Sequence, residues 1–519
     1  MYSLDLRTLW LALAESLRPP LFTSSHLPRS VVNPQRSDAA WGGWELVPVQ
    51  SAEGFVFRPQ KRNESMVLDF GEHLVGFFEF DALPEGVPDS PTRLRFVFGE
   101  TVAEVSEAFD PFTGTLSRAW LQDETLTLDT LPQRVRLARR FAFRFVRVEL
   151  PDAPANYRLA LKNFVCESVT SANWGAVPPL PPDLPDEMRR LDEVSLRTLA
   201  NCMHTVFEDG PKRDRRLWIG DLRLQALANA VSFRGFDLVK RCLYLFAGLA
   251  HENGLVPACV HETPHPLRGN ADILDYAALF PVTLLEYARA SGDWETARDL
   301  WPVAHRQLDH VLGYVGDDGV FATPRTWWIF IDWRDGLDKT AAMHGVLMSC
   351  LRHGVELAQK LGEDEVAQRW QGAWERMQRG ARPAFWNEHA GLFASGESGQ
   401  ISWASQIWLV LGGAVSPDEG AALLRRLLAA PDAIRPAGPY LTHYAVEALL
   451  TCGLDDEARE LLQSYWGAMI ARGATTFPEV FDPDDALLSP YGNHLLNSAC
   501  HAWSCTPAYF IRARPDVFR

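Results

Sequence analysis

The sequence lacks the patterns that mark several large classes of protein. No CxxC pair occurs, no GxGxxG motif follows a predicted strand, and no phosphate-binding P-loop is present. Nucleotide binding and structural zinc therefore have no support. No apolar run approaches the roughly 20 residues needed to span a bilayer. We expect no cofactor, no metal and no membrane-spanning segment.

Basic residues are also outnumbered, because 50 Lys and Arg stand against 66 Asp and Glu, which gives a formal net charge of -16. Such a field repels polyanions, which argues against nucleic acid or an anionic membrane surface as a partner. A highly acidic substrate is disfavoured unless local cations override the field. A small neutral carbohydrate or glycoside fits this charge.

The eight cysteines lie mostly within apolar helical patterns, and we expect buried free thiols in a reducing compartment. The apolar run at 9–14 is short and flanked by Asp5, Arg7 and Glu15. It predicts a short amphipathic helix ending near Pro19 rather than a secretory signal, although a signal remains the alternative. We therefore expect a cytoplasmic protein.

The first third of the chain has the texture of strands. Short runs rich in Val, Phe and Leu alternate with turn-rich stretches. In the last run Val146, Val148 and Leu150 alternate with Arg147 and Glu149, as expected for a strand with one solvated face. We predict an N-terminal extension over residues 1–41 and an antiparallel β-sandwich over 42–176.

From residue 177 to 519 the apolar period becomes helical. Twelve helices are predicted, with a kink or break at Pro281 in the fourth. Their predicted ranges are 185–206, 221–233, 236–252, 272–290, 293–314, 337–361, 363–382, 402–413, 417–430, 439–453, 456–471 and 492–512.

The loops between these helices alternate in length. Connections after even-numbered helices are tight, whereas most of those after odd-numbered helices are long. Six helical hairpins with long loops on one rim predict an (α/α)6 barrel with the even helices inside. Because loops on a rigid scaffold usually carry the chemistry, we expect the site there. The long loops are 207–220, 253–271, 315–336, 383–401 and 472–491, and 431–438 is intermediate.

The first long loop is dense in charge. Three aspartates stand among three arginines and a lysine, and this composition alone fits a structural ion-pair network as well as a site. As a site, Asp209 and Asp221 would bind sugar hydroxyls while Asp214 presents a carboxyl to the scissile oxygen.

The third long loop places Asp332 among large aromatic residues that include Trp328 and Trp333. Trp and Asp together suit a pyranose, through stacking on its C–H face and hydrogen bonds to its hydroxyls. Packing at the top of the barrel is the alternative.

In the sixth long loop, Glu479 has apolar sequence neighbours, and desolvation there should raise its pKa towards that of a general base. Loops one and six are neighbours when a six-hairpin ring closes, so Asp214 and Glu479 could face each other. Two carboxylates flanking a glycosidic bond are the minimum for its hydrolysis. His261 and Glu262 complete no metal-ligand pattern. His501, in the predicted twelfth helix, could reach the pocket.

At these residues the sequence resembles the bacterial α-L-rhamnosidases of glycoside hydrolase family 78, over about residues 45 to 512. The match implies an (α/α)6 catalytic domain, a general base at Glu479 and a sugar pocket built from the first and third long loops and the last helix. The residues that match the family's pattern in the pocket are Asp209, Arg213, Trp218, Asp221, Trp328, Asp332, Trp333 and His501.

The chain departs from the family at the general acid. Where the family usually has Glu, this sequence has Asp214, or Arg215 if the gap is placed differently. We predict an inverting exo-glycosidase, with Asp214 as acid and Glu479 as base. One alternative is an (α/α)6 glycosidase for a glucoside or a uronide, for which Arg213, Arg268 or Arg334 could supply an unpaired cation. The other is a non-catalytic sugar-binding relative.

Overall fold

The computed structural model describes residues 3–38, 40–324 and 327–519. Thr326, in the predicted third loop, lies outside them, as do Met1, Tyr2, Ala39 and Arg325. The helices are α1 (Leu4–Ser16), α2 (Val102–Ser106), α3 (Asp186–Cys202), α4 (Ile219–Val231), α5 (Phe236–Gly248), α6 (Leu274–Ser291), α7 (Trp294–Leu312), α8 (Thr340–Leu361), α9 (Asp364–Phe385), α10 (Trp403–Gly412), α11 (Pro417–Leu428), α12 (Pro439–Thr451), α13 (Asp455–Ala471) and α14 (Pro507–Ala513).

The strands fall into one large N-terminal sheet and two small sheets in the loops of the helical region. They are β1 (Phe22–His26), β2 (Ser30–Arg36), β3 (Trp44–Ser51), β4 (Glu64–Glu85), β5 (Thr92–Gly99), β6 (Gln122–Leu128), β7 (Gln133–Arg136), β8 (Phe141–Asp152), β9 (Arg158–Thr170), β10 (Leu217–Trp218), β11 (Cys259–His261), β12 (Leu267–Arg268), β13 (Trp386–Asn387) and β14 (Leu392–Phe393).

The long strand β4 organises the β module. Its first part pairs antiparallel with β2 and β8, and its second part pairs with β7 and β9. A register shift between Asp69 and Leu74 interrupts the pairing of β4 with β8, as a bulge does. The alternation predicted in β8 is confirmed, because Val146, Val148 and Leu150 are buried. The module is antiparallel throughout, as predicted.

Phenylalanine dominates the core of this module. The rings of Phe98 and Phe141 stack with centroids 3.9 Å apart, and Phe143 meets Phe98 edge-on at 5.1 Å. Phe78 and Phe96 belong to the same buried cluster. Aromatic pairs of this kind add about 0.5–1.5 kcal/mol each beyond the area that they bury. Much of the chain's phenylalanine therefore serves the sandwich.

Residues 1–41, predicted as an extension, take part in both regions. Helix α1 packs on α5 of the helical region, where Trp10 is fully buried and its Nε1 donates to Asp299 Oδ2 at 3.1 Å. Strands β1 and β2 then pair with β9, β3 and β4 of the sheet. The segment thus links the two regions.

The helical region is the predicted (α/α)6 barrel. Helices α4, α6, α8, α10 and α12 pack on one another in turn, and α14 returns to α4. They are the even helices of the prediction, and all ten residues of α10 are buried, as an inner-ring position requires. Helix α6 continues through Pro281, so of the predicted kink or break the break does not occur. Among the described residues, no helix is long and apolar enough to cross a membrane.

The prediction of a twelfth helix over 492–512 is wrong for most of that range. Only α14 is α-helical there, preceded by 3-10 turns at His494–Leu496 and Ala502–Ser504. The N–H of His501 donates to Phe477 O at 2.9 Å and that of Ala502 to Asp209 O at 2.8 Å. Since these donors bind distant carbonyls instead of forming helix bonds, the segment joins loops one and six.

A buried ionic cluster fixes the β module on the barrel. The Lys212 ammonium, in loop one, lies 3.1 Å from Glu104 and 3.5 Å from Glu100 of the β module. His73 Nε2 is 2.9 Å from Glu100, and Ala499 N donates to the same carboxylate at 2.7 Å. Buried charges require such partners, so loop one is positioned by both regions.

Candidate active site

A cavity of about 240 Å³ opens at the rim of the barrel where loops one, three and six meet. Its wall is largely aromatic, with acidic and basic groups at one side, and it includes two residues of the β module. The lining residues are Leu116, Trp120, Asp209, Arg213, Asp214, Arg216, Trp218, Asp221, Ile273, Tyr276, Trp328, Phe330, Trp333, Glu479, Tyr491, His501 and Trp503.

The two predicted catalytic carboxylates both line this cavity and contact the same guanidinium. Arg213 Nη1 lies 3.3 Å from Asp214 Oδ1, and Arg213 Nη2 forms a buried ion pair with Glu479 Oε2. The Arg213 side chain is itself anchored, because its Nε donates to Leu496 O at 2.9 Å. Loops one and six are therefore joined at the site by a single cation between two acids.

Glu479 does not have the apolar setting that its sequence neighbours suggested. Its carboxylate is buried, with 2% of the residue exposed, but it binds Arg213 and accepts a hydrogen bond from the hydroxyl of Tyr491. Its backbone is held as well, since Trp503 Nε1 donates to Glu479 O at 3.1 Å. The polar partners of the Glu479 carboxylate, Arg213 and Tyr491, lie elsewhere in the chain, so the sequence neighbours of Glu479 do not reveal them.

Asp214 and Arg215, the two alternatives for the acid position, differ in where their side chains go. Arg215 does not line the cavity; its Nε donates to Pro211 O at 2.7 Å and its Nη2 to Arg140 O at 3.0 Å. Asp214 lines it, and the Asp209 carboxylate accepts from Asp214 N at 3.0 Å. Of Asp214 and Arg215, only Asp214 therefore presents its side chain to a ligand in this cavity.

Asp209, Asp221 and His501 form the polar floor of the cavity. Burial, and next the charge of Asp214, raises the pKa of Asp209 to about 8, and burial together with Asp209 raises the pKa of Asp221. Burial and the Arg213 cation lower the pKa of His501. Each of these shifts favours the uncharged form of its group, which suits the hydroxyls of a neutral sugar.

Two atoms of this floor have no partner in the protein. Asp221 Oδ1 and His501 Nδ1 are buried and unbonded, and they lie 3.8 Å from each other. Buried polar atoms are normally satisfied, so both are free for a ligand that donates and accepts. His501 reaches this place from extended backbone, with φ -137° and ψ 122°, rather than from the helix that we predicted.

The predicted tryptophans line the aromatic wall. Trp328 is 42% exposed at the opening, and Trp333 packs edge-on against Phe330 with centroids 5.0 Å apart. Trp218 meets the ring of Tyr276 at 6.4 Å. The indole Nε1 of Trp333 is buried without a partner, and it is a third atom available to a ligand.

Asp332 is the predicted sugar-binding residue that does not line the cavity. Its Oδ2 accepts from Ala437 N at 2.7 Å, and burial raises its pKa to about 6. The carboxylate that shapes this loop from below is Asp275, which accepts from Phe330 N at 2.9 Å and Ile331 N at 3.1 Å. Both acids bind backbone and position the aromatic loop.

Several lining residues were not predicted from the sequence. Phe330 and Tyr491 lie in the third and sixth long loops and Trp503 in the predicted twelfth helix, but no sequence motif marks their rings. The position of the Tyr276 ring in the wall is set by close packing against Gly220, because a Cβ at Gly220 would lie 2.3 Å from that ring. Trp120 comes from the β module, and no local pattern relates it to the barrel.

The cations of the cavity are all paired. Arg213 binds Glu479 and Asp214, and Arg216 Nη1 lies 3.4 Å from Asp214 Oδ2. Arg334 binds Asp482 at 3.1 Å, and neither it nor Arg268 lines the cavity. The unpaired cation expected of a uronide pocket is not found among the described lining residues. No group of three or more His, Cys, Asp or Glu suited to a metal occurs in the described ranges.

Comparisons with known proteins identify relatives of both regions. Residues 28–168 match the glycosyl hydrolase family 78 α-rhamnosidase N-terminal domain, and residues 185–514 match the bacterial α-L-rhamnosidase six-hairpin glycosidase domain. A comparison with curated proteins found no match.

Among solved structures, a rhamnosidase from Klebsiella oxytoca with rhamnose bound is 43% identical, with a TM-score of 0.95, and the alignment covers 98% of this chain and 99% of that one. A family 78 rhamnosidase of Bacillus sp. GL1 shares the fold at 21% identity and a TM-score of 0.73, over 90% of this chain and 48% of its own. An α-L-rhamnosidase of Streptomyces avermitilis, complexed with L-rhamnose, does so at 18% identity and 0.68, over 96% and 44%.

Proposed function

This chain belongs to glycosyl hydrolase family 78, the α-rhamnosidases, and from that premise we propose that it removes a terminal α-L-rhamnose from a glycoside with inversion at the anomeric carbon. The observation that carries the mechanism is the contact of Asp214 and Glu479 with one guanidinium in one cavity. The relative from Klebsiella oxytoca that is 43% identical has rhamnose bound, which supports the choice of sugar.

In this mechanism Asp214 is the general acid. Its protonated carboxyl donates to the glycosidic oxygen as the bond from that oxygen to the anomeric carbon breaks, so the leaving group departs as a neutral alcohol. The Asp214 side chain is 15% exposed, which leaves it accessible from the cavity. The Asp209 carboxylate accepts from Asp214 N, which holds this part of the loop in place.

Glu479 is the general base. It takes a proton from a water molecule, whose oxygen attacks the anomeric carbon from the face opposite the leaving group. Arg213 and Tyr491 bind the two oxygens of this carboxylate and orient it. Asp214 and Glu479 each contact a different terminal nitrogen of the Arg213 guanidinium. This arrangement is compatible with the roughly 6.5–9.5 Å between the two catalytic carboxyl groups of inverting enzymes.

The sugar would bind through the unpartnered atoms of Asp221, His501 and Trp333, with Trp218 and Trp328 against its apolar face. The cavity of about 240 Å³ is smaller than the roughly 300–1,000 Å³ of pockets for drug-sized ligands. This size supports the binding of one terminal sugar ring and hence exo-action.

A panel of aryl glycosides tests the sugar and the two roles together. We expect turnover of the α-L-rhamnoside, with β-rhamnose as the first anomer seen by proton NMR. Asp214→Asn should lower kcat/KM on phenyl rhamnoside about 10³-fold but much less on 2,4-dinitrophenyl rhamnoside, whose leaving group needs little protonation. Glu479→Gln should lower both by a similar factor. Unchanged thermal unfolding would show that each variant is folded.

The remaining alternatives give different outcomes in the same panel. Turnover of another glycoside, lost in both variants, would retain the two roles and refute rhamnose. Rhamnose binding measured by calorimetry without any turnover would favour a non-catalytic relative. A first anomer of α configuration would refute inversion.

We also propose a cytoplasmic location. All eight cysteines are unpaired, and seven of them are buried, which is usual for proteins of a reducing compartment. Cell fractionation tests this, and recovery of the protein outside the cytoplasmic fraction would refute it.

A further inference from the structure

A second cavity, of about 250 Å³, adjoins the first at Asp214. The two cavities share Trp120, Asp214 and Arg216, but the second does not include Glu479 or His501. A general acid protonates the oxygen between the sugar and the leaving group. The cavity that contains the acid and not the base is therefore where the leaving group lies, if the proposed function holds.

Most charges that line this second cavity are compensated. Lys212 binds Glu104 and Glu100. The Glu262 carboxylate accepts from Arg241 at 2.6 Å and from Arg18 at 3.0 Å. The charges of Lys212 and Glu262 are therefore already engaged in ion pairs within the protein.

Two arginines differ from the rest. Arg215 donates only to backbone carbonyls, and no carboxylate of the described residues lies within ion-pair distance of its guanidinium. Glu208, which is nearby, binds Arg140 with both oxygens, at 2.7 and 2.8 Å. Burial, together with the Arg140 charge, lowers the pKa of Arg215 to about 10 although Glu208 acts in the opposite direction, which is in keeping with the lack of a direct ion pair.

Arg216 has a counter-charge only while Asp214 is ionised. Its Nη1 lies 3.4 Å from Asp214 Oδ2, and no other carboxylate of the described chain pairs with it. When Asp214 holds the proton that it must donate, Arg216 loses this partner. In the state that can react, two cations on the leaving-group side thus have no anion beside them.

We propose that this second cavity is a leaving-group subsite for an anionic group, and that it favours rhamnosides whose leaving group carries a carboxylate. Arg215 is the specificity-determining residue, and Arg216 assists it. A carboxylate there would supply the missing counter-charge, with charge-assisted hydrogen bonds to a planar guanidinium. Local cations would then override the repulsion expected from the net charge of -16.

The test compares 4-carboxyphenyl α-L-rhamnoside with its neutral analogue, 4-carbamoylphenyl α-L-rhamnoside. We expect the wild-type kcat/KM to be about tenfold higher for the carboxylate, as a hydrogen bond to a charged group allows, and this preference should shrink as ionic strength rises. Arg215→Gln should abolish the preference through the carboxylate substrate alone, and Arg215→Lys should restore part of it. Arg93→Gln removes an equivalent charge from an exposed pair with Asp152 and should retain the preference.

Equal kcat/KM for the two substrates in the wild type would overturn the subsite, whatever the variants do. Equal loss on both substrates in Arg215→Gln would assign Arg215 a structural role and also overturn it. If Arg215→Gln does not fold, the wild-type preference and its salt dependence still decide. If neither of the two compounds nor p-nitrophenyl rhamnoside is cleaved, the proposed function itself is refuted.

Discussion

Arg213 and Glu479 form an ion pair from which water is almost excluded, with side chains 4% and 3% exposed. The guanidinium also lies over the ring of Tyr491, 4.0 Å from its centroid. Because the two residues come from opposite ends of the barrel sequence, their pairing closes the ring of hairpins as well as building the site.

Arg213→Met should destabilise the protein by about 3–5 kcal/mol, because it leaves the Glu479 carboxylate buried without a cation. The double variant Arg213→Met/Glu479→Gln should lose less than the sum of the two single variants. Urea denaturation measures both. Arg190→Met, which breaks the exposed pair with Glu193, should cost less than about 1 kcal/mol. Additive losses in the double variant would contradict a coupled pair.

Ionisation of Asp209 should lower the stability of the folded protein as pH rises. Its pKa is raised to about 8 in the folded protein by burial and by Asp214, whereas an unfolded Asp titrates near 3.9. Between about pH 4 and 8 the folded state holds the extra proton, so raising the pH through this window favours unfolding. Asp209→Asn cannot ionise, and its Tm should fall less than that of the wild type from pH 5 to 8. Parallel Tm curves would refute the raised pKa.

Gly220→Ala should impair the site through Tyr276. The added Cβ would lie 2.3 Å from the ring, and the ring must move although its hydroxyl is 3.4 Å from Asp221 Oδ2. Overpacking of this kind costs about 1–3 kcal/mol, and we expect a lower Tm and at least a tenfold lower kcat/KM. Gly372→Ala, in helix α9, would meet only the end of the Arg376 side chain, at 3.9 Å, and should leave activity unchanged and Tm equal or higher.

Trp333→Phe should weaken sugar binding without loss of stability. The Nε1 of Trp333 has no protein partner, so its removal deprives only the ligand of a donor, and rhamnose affinity should fall up to about tenfold. Isothermal calorimetry and thermal unfolding measure the two effects.

The reverse pattern is expected for Trp370→Phe. Its indole donates to Asp309 Oδ1 at 2.9 Å, away from the cavity, so the Tm should fall while affinity is retained. If Trp333→Phe instead lowered the Tm and retained affinity, the proposed contact with the sugar would be wrong.

Much of the fold follows from local patterns. The period-2 alternation of β8 and the helical period after residue 177 are set by burial on one face of each element, and they survive in the structure. The alternation of loop lengths implied the order of the rings, because tight connections force consecutive helices to lie antiparallel. The prediction of the twelfth helix was wrong for a non-local reason, because the N–H groups of His501 and Ala502 donate to carbonyls of loops six and one.

The sequence by itself determined which loops carry the carboxylates and aromatic residues, because these residue types stand beside recognisable helix boundaries. Only the tertiary structure decided which side chains face the cavity. Asp332 binds backbone while Asp214 lines the cavity, and Glu479 receives Arg213 and Tyr491 as partners. Trp120 arrives from the β module. Contacts between residues so far apart depend on the closure of the barrel and the position of the sandwich, which no local pattern encodes.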